Sequence, residues 1–413
     1  MIKHLPVWGL STLLLMASAA MLWFMYAPQN RASEATPSPP SSTSVQVPLS
    51  ATEKPPRDAS LIKWRHTFSP EAECLAPAGE WGAWYVGDRL GWFTICEPRL
   101  GGTSGIRSGA SENENLQGIT TLSNGGVIAV SLQGKVSVWY VNLSGDPLLK
   151  TERLVLPFLE TEGSFMHAPF VGNIGGEEMM WLISQGDSVI YCLRIVGEKR
   201  EGKKLDVVWK SEPTNRCDGR LAEWGGYLAY GNCNGVVYVH DAATGALHGT
   251  IDTGGQGDPM AGAMLAMPSG LMFIGTYLGN FLMLDPVTKT CLDKVKIADS
   301  ESFATPVAIG ETTVAMGTPD GRITLWETRE RKLTSIGEIT VGKDRVEEMV
   351  FYKGKLWVLA GSSLNRVDLK SKKVTAYNIG DNMRRLTLNP SDGTMAMIAD
   401  GDVVCIDLEG GAQ

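Results

Sequence analysis

The sequence predicts an all-β fold, a single β-propeller of four-stranded blades. Three observations lead there. A pattern of short apolar strand, turn, alternating strand, turn and third strand recurs, with a period of about 43 residues, which specifies four-stranded blades. A glycine recurs in register before the second strand of the pattern, at Gly134, Gly235, Gly279 and Gly321. No stretch after Ser60 has a sustained helical period.

The repeat is clearest in the segments that begin at Gly125, Gly226, Gly270 and Thr312. Innermost strands are expected to start near Glu71, Leu116, Phe165, Arg216, Pro259, Ser302, Arg345 and Asn382, which gives eight blades, with seven as the alternative if the first is irregular. The C-terminal GDVVCIDLEGG reads as a third strand that lacks its fourth. LIKWRHTF, Leu61–Phe68, reads as an orphan fourth strand. Pairing the two completes the last blade and leaves no open edge in the ring.

Two segments precede this body. Residues 7–27, VWGLSTLLLMASAAMLWFMYA, carry no charge and are long enough to cross a bilayer as one helix. An uncleaved anchor is favoured over a cleaved signal ending at Ala17-Ser18-Ala19, because apolar residues continue beyond that point. Either reading sends the remainder out of the cytoplasm, to the periplasmic side in a bacterium, or leaves it soluble there after cleavage. Residues 28–60 are rich in Pro, Ser and Thr and bury too little to fold. They read as a flexible tether with a span of roughly 30 Å. The expected organisation is thus 1–27 membrane segment, 28–60 linker and 61–413 propeller.

The formal net charge of −8, without a long basic stripe, argues against nucleic acid as a partner. There are seven cysteines and no C-x-x-C, which removes the zinc, thioredoxin-like and c-type haem readings. Cys192 and Cys405 lie in strand-like runs and read as buried apolar fillers. Cys74–Cys96 and Cys217–Cys233 are the candidate disulfides in an oxidising compartment.

The run Gly235-Val236-Val237-Tyr238-Val239-His240-Asp241-Ala242-Ala243-Thr244-Gly245 resembles the repeat of the pyrroloquinoline-quinone-like propeller family, and Trp64 and Trp209 occupy fourth-strand positions similar to that family's tryptophans. GRITLWET at Gly321 looks equally like a WD-type strand. The catalytic branch of the family carries a vicinal disulfide beside its quinone. No vicinal cysteine pair exists here, so the resemblance implies the non-catalytic branch and no cofactor. That branch includes the propeller subunit of the outer-membrane β-barrel assembly machine. This chain is similar in repeat type and size, but lacks a lipid-attachment cysteine and adds a tether.

No H-E-x-x-H, nucleophile elbow or Walker loop occurs, and no catalytic or metal-binding residues are assigned. Inner-strand starts line one mouth of a propeller channel. His167, Asp218, Glu347 and Arg384 are therefore the candidate ligand contacts there, with Glu348 and Arg385 beside them. The exposed-hairpin run Glu198–Lys204 is a candidate partner contact. The expected function is a membrane-tethered scaffold of the cell envelope, with envelope or membrane proteins as partners and envelope protein assembly as one setting. The alternative is an enzyme or small-ligand receptor with its site at the channel mouth, its ligand unknown.

Overall fold

The computed structural model describes residues 61–68, 71–78, 83–97, 102–107, 115–141, 153–155, 159–161, 163–185, 188–197, 203–214, 219–254, 258–260, 262–302 and 304–408. The chain divides into two units, Met1–Lys54 and Pro55–Gln413, and all described residues belong to the second. The expected membrane segment and linker lie outside them. Among the described residues no helix is long and apolar enough to cross a membrane.

The strands form eight sheets, the blades of the propeller. Blades 1 to 7 have inner strands Ala72–Pro77, Leu116–Thr121, Phe170–Ile174, Ala222–Trp224, Leu265–Ala266, Val307–Ala308 and Val346–Tyr352. Seven of the eight sheets have four strands. In blade 2 two short segments, Arg153–Val155 and Leu159–Glu160, share the outer position against Lys135–Val141. Blade 8 is assembled from both ends of the unit. Its inner strand is Arg384–Asn389, and Ile62–His66 pairs with Asp402–Asp407 as its outer strand, with Trp64 opposite Cys405.

Burial is greatest at the second strand and falls towards the outer strand. Second strands are continuous apolar runs, as in Gly126–Ser131 and Thr394–Ala399, both buried throughout. A neighbour covers each face, so period-2 alternation disappears there. Outer strands such as Lys204–Lys210 are largely solvent-facing and carry lysines, which discourage edge pairing. The core is distributed. The buried apolar residues form eight clusters, each spanning one seam between neighbouring blades. The closure seam is one of them: Ala396 and Cys405 of blade 8 pack on Trp84 and Cys96 of blade 1.

The recurring glycine has a two-part cause. In five blades a polar residue ends the second strand, Asp88 or Ser131, or directly follows it, Asn232, Thr276 or Thr318. Its side-chain oxygen accepts the N–H four residues on, at 2.9–3.1 Å. The residue before that donor is a glycine, and all five have φ between 72° and 80°. In three of them a Cβ would also strike the lead-in chain of the next blade: at Gly279 it would lie 2.3 Å from the Ala298 oxygen.

The same turn residues anchor the next blade. The N–H groups of Phe165, Met260, Ser302 and Val346 donate to the carbonyls of Ser131, Asn232, Thr276 and Thr318 at 3.1–3.2 Å. This explains why the inner strands of blades 3, 5 and 6 begin five or six residues later than the sequence pattern places them; that of blade 4 also begins six residues late, at Ala222, and its expected start, Arg216, lies outside the described residues. Phe165, Pro259 and Ser302 belong to lead-in segments tied to the preceding blade, before the chain joins its own ladder.

Candidate functional site

The inner strands of blades 7, 8, 1 and 2 share a feature that alternation does not show. Each carries a β-bulge near its start, where one residue of the ladder has no opposite number. The register shifts fall between Val346 and Glu348, Arg384 and Thr387, Ala72 and Cys74, and Leu116 and Gly118. A bulge re-aims side chains. Here it changes which member of each charged pair faces the channel.

Glu347 is the bulged residue of blade 7 and is exposed. Even so, desolvation raises its carboxyl above the usual range; Arg345 opposes this, and Glu348 and Glu301 add to it. Glu348 lines a channel cavity of about 380 Å³, and its carboxylate accepts from the backbone N–H groups of Arg385, at 3.2 Å, and Leu386. Arg384 turns to the closure seam. It donates to the Ala72 carbonyl at 3.0 Å and sits 3.5 Å from the Glu73 carboxylate and 4.0 Å from that of Glu71. Arg385, at φ 61°, lines the cavity and donates from Nε to the Glu73 carbonyl at 3.1 Å.

His167 is half-buried, and its Nδ1 accepts from Arg220 Nε at 3.4 Å, so the ring proton is on Nε2. Asp218 lies outside the described residues. Of the three expected contacts among the described residues, His167, Glu347 and Arg384, none lines the channel cavity. The cavity holds Glu348, Arg385 and Arg220, while Glu347 and Arg384 serve the rim and the closure seam. Arg220 and Gly118 escaped sequence reasoning. Gly118 is needed because a Cβ there would lie 2.3 Å from the Ala168 Cα, in the lead-in chain that carries His167.

The expected Cys74–Cys96 bridge is not formed. Both are free, buried thiols, each pushed to about 12 by burial. Cys74 packs in the seam between blades 1 and 2, and Cys96 in the seam between blades 8 and 1. They thus lie on opposite faces of one sheet. Cys233 is partly buried, and Cys217 lies outside the described residues, as do residues 198–202 of the basic run. Among the described residues no group of His, Cys, Asp and Glu has the arrangement of a metal site.

The face around this mouth has a second character. In an antiparallel blade the turn between strands two and three lies at the end where strand one begins. Leu90 of blade 1, Leu132 of blade 2, and Tyr277 and Leu278 of blade 5 occupy such turns, and Trp92 is the first residue of strand three of blade 1, at the same end. Met166 lies in the lead-in to blade 3. These six are among the eleven large apolar side chains exposed in the described residues. One face of the disc therefore carries an interrupted apolar rim around a charged channel.

No family model matches the chain, and no curated protein matches it in sequence. Solved structures do match in shape. BamB from Moraxella catarrhalis aligns with a TM-score of 0.59 and 14% identity over 81% of this chain and 95% of that one. Sqt1 from Chaetomium thermophilum, bound to the N-terminus of the ribosomal protein L10, aligns at 0.68 and 13% over 82% and 96%. Sqt1 from Saccharomyces cerevisiae aligns at 0.65 and 12% over 84% and 97%. At these identities the likeness is one of fold: the chain is an eight-bladed β-propeller similar in architecture to BamB and to Sqt1.

Proposed function

We propose that this protein is a membrane-tethered scaffold whose propeller stands outside the cytoplasm and binds another protein on the face that carries the inner-strand starts. The observation that carries this reading is the apolar rim of Leu90, Trp92, Leu132, Met166, Tyr277 and Leu278 on that face. Exposed aromatic and aliphatic side chains around a polar centre are the raw material of a protein interface. The Sqt1 propeller bound to the L10 N-terminus supports it by analogy of fold alone. The uncharged run of residues 7–27 supports the tether. Envelope proteins are the partners this topology would meet, and envelope protein assembly is a setting for them.

The test is crosslinked affinity capture from native membranes with the full chain and with a Trp92→Glu/Leu278→Glu variant. A partner captured by the native chain and lost in the variant, at equal melting temperature, supports the reading. Capture that survives both substitutions would place the interface elsewhere and sink it. Protease protection of the propeller in intact spheroplasts would overturn the topology.

A further inference from the structure

Among the described residues, the channel cavity is lined by more positive than negative charge. The charged residues that line it there are Arg220, Arg385 and Glu348. Glu348 is occupied by two backbone N–H groups of blade 8. Each arginine spends only Nε on the protein, Arg220 on His167 at 3.4 Å and Arg385 on the Glu73 carbonyl at 3.1 Å. Among the described residues neither guanidinium forms an ion pair within 4.0 Å, and neither pair of terminal nitrogens has an acceptor. A guanidinium has five N–H donors, so most of the donor capacity of both groups is unspent.

Like charges so arranged are unfavourable in a confined space. Burial holds Arg220 below the usual arginine value, with Glu348 opposing and Arg385 adding to the shift. An oxyanion between the two side chains would remove that repulsion and supply the missing acceptors. Carboxylate and phosphate oxygens match the planar fork of arginine, and such charge-assisted bonds are the strong ones. A volume of about 380 Å³ lies within the range of small-molecule sites.

We propose that the central channel binds a small oxyanion, a carboxylate or a phosphate, held between Arg220 and Arg385. Glu348 acts as the counter-charge that limits affinity and orients the Arg385 backbone. The site is independent of the protein-binding rim: loss of partner capture leaves it intact, and its own failure leaves the rim untouched.

Isothermal titration of the full chain in detergent, at low ionic strength, tests it with succinate and inorganic phosphate separately. At least one is expected to bind with a dissociation constant below about 1 mM. Arg220→Gln and Arg385→Gln should each weaken it by about tenfold or more, which is about 1.4 kcal/mol per decade. Glu348→Gln should strengthen binding, an effect opposite in sign to that of a damaged fold. Succinate alone would mark a carboxylate site and phosphate alone a tetrahedral one. Binding of neither, or equal binding by the native chain and both arginine variants, overturns the proposal.

Discussion

The carboxylate of Glu348, on the inner strand of blade 7, accepts the backbone N–H of Arg385, on the inner strand of blade 8, at 3.2 Å, and it accepts the N–H of Leu386 as well. The bulge between Arg384 and Thr387 lifts these residues out of their own ladder. A side chain from the preceding blade therefore does what the sheet cannot. Arg385 Nε then reaches the Glu73 carbonyl of blade 1, so three consecutive blades are linked at the channel wall.

Glu348→Ala strands both N–H groups beside a channel. Leaving a donor unsatisfied costs about 1–3 kcal/mol, so the variant should lose about 2 kcal/mol or more of unfolding free energy. Glu348→Gln retains one acceptor oxygen and should lose roughly half as much. Urea denaturation monitored by tryptophan fluorescence reads both. A Glu348→Ala midpoint equal to that of the native chain would mean that water serves these donors equally well.

Gly279 and Gly354 separate two costs that usually travel together. Both have positive φ, 72° and 76°. A Cβ at Gly354 meets nothing within 4 Å, whereas at Gly279 it lies 2.3 Å from the Ala298 oxygen. Gly354→Ala should cost only the left-handed backbone penalty, about 1–2 kcal/mol. Gly279→Ala should exceed it clearly, because the obstacle is backbone of the next lead-in segment and cannot rotate away. Similar thermal shifts in the two variants would show that the lead-in chain yields.

These glycines were also what made the fold legible. Each of these turns needs a left-handed φ, and at Gly134, Gly279 and Gly321 the lead-in segment of the next blade also leaves no room for a Cβ, so these three and Gly235 stand out without any structure. The inner strands were less legible. Phe165 and Ser302 look like strand residues, but their N–H groups belong to the preceding blade. The site was least legible. A bulge reverses alternation locally, so Glu347 and Arg384 could not be told from Glu348 and Arg385 by pattern. Arg220 acquires meaning only when the ring sets it in the same cavity as a residue 165 positions away in sequence.

The two fourth-strand tryptophans resemble each other in sequence and differ in bonding. Trp209 donates from Nε1 to the Ala242 carbonyl at 3.2 Å, alongside Trp181 at 3.1 Å. Its ring fills the space a Cβ on Gly245 would need, 2.4 Å away. Trp64 Nε1 is buried with no partner. Trp209→Phe should therefore cost about 1 kcal/mol for the bond in addition to the lost ring area, and Trp64→Phe should cost less, because it also removes an unsatisfied donor. Equal losses measured by chemical denaturation would refute the distinction.

His240 gives the chain an acid sensitivity of known sign. The imidazole is 2% exposed, Nδ1 is 3.1 Å from the Gly245 carbonyl, and Nε2 has no partner. A carbonyl only accepts, so the proton is on Nδ1. Burial lowers the folded-state value below 6.5, the Gly245 bond opposing. The unfolded chain thus takes up a proton at a pH where the folded chain does not. The stability this residue contributes is fully present above 6.5, declines as pH falls below it, and levels off only beneath the lowered folded value. His240→Asn keeps a short donor near Gly245 and removes the titration. Its unfolding free energy should fall less steeply than the native chain's between about pH 7 and pH 5. Parallel slopes would mean that the imidazole titrates alike in both states, and the buried, neutral ring described here would then be wrong.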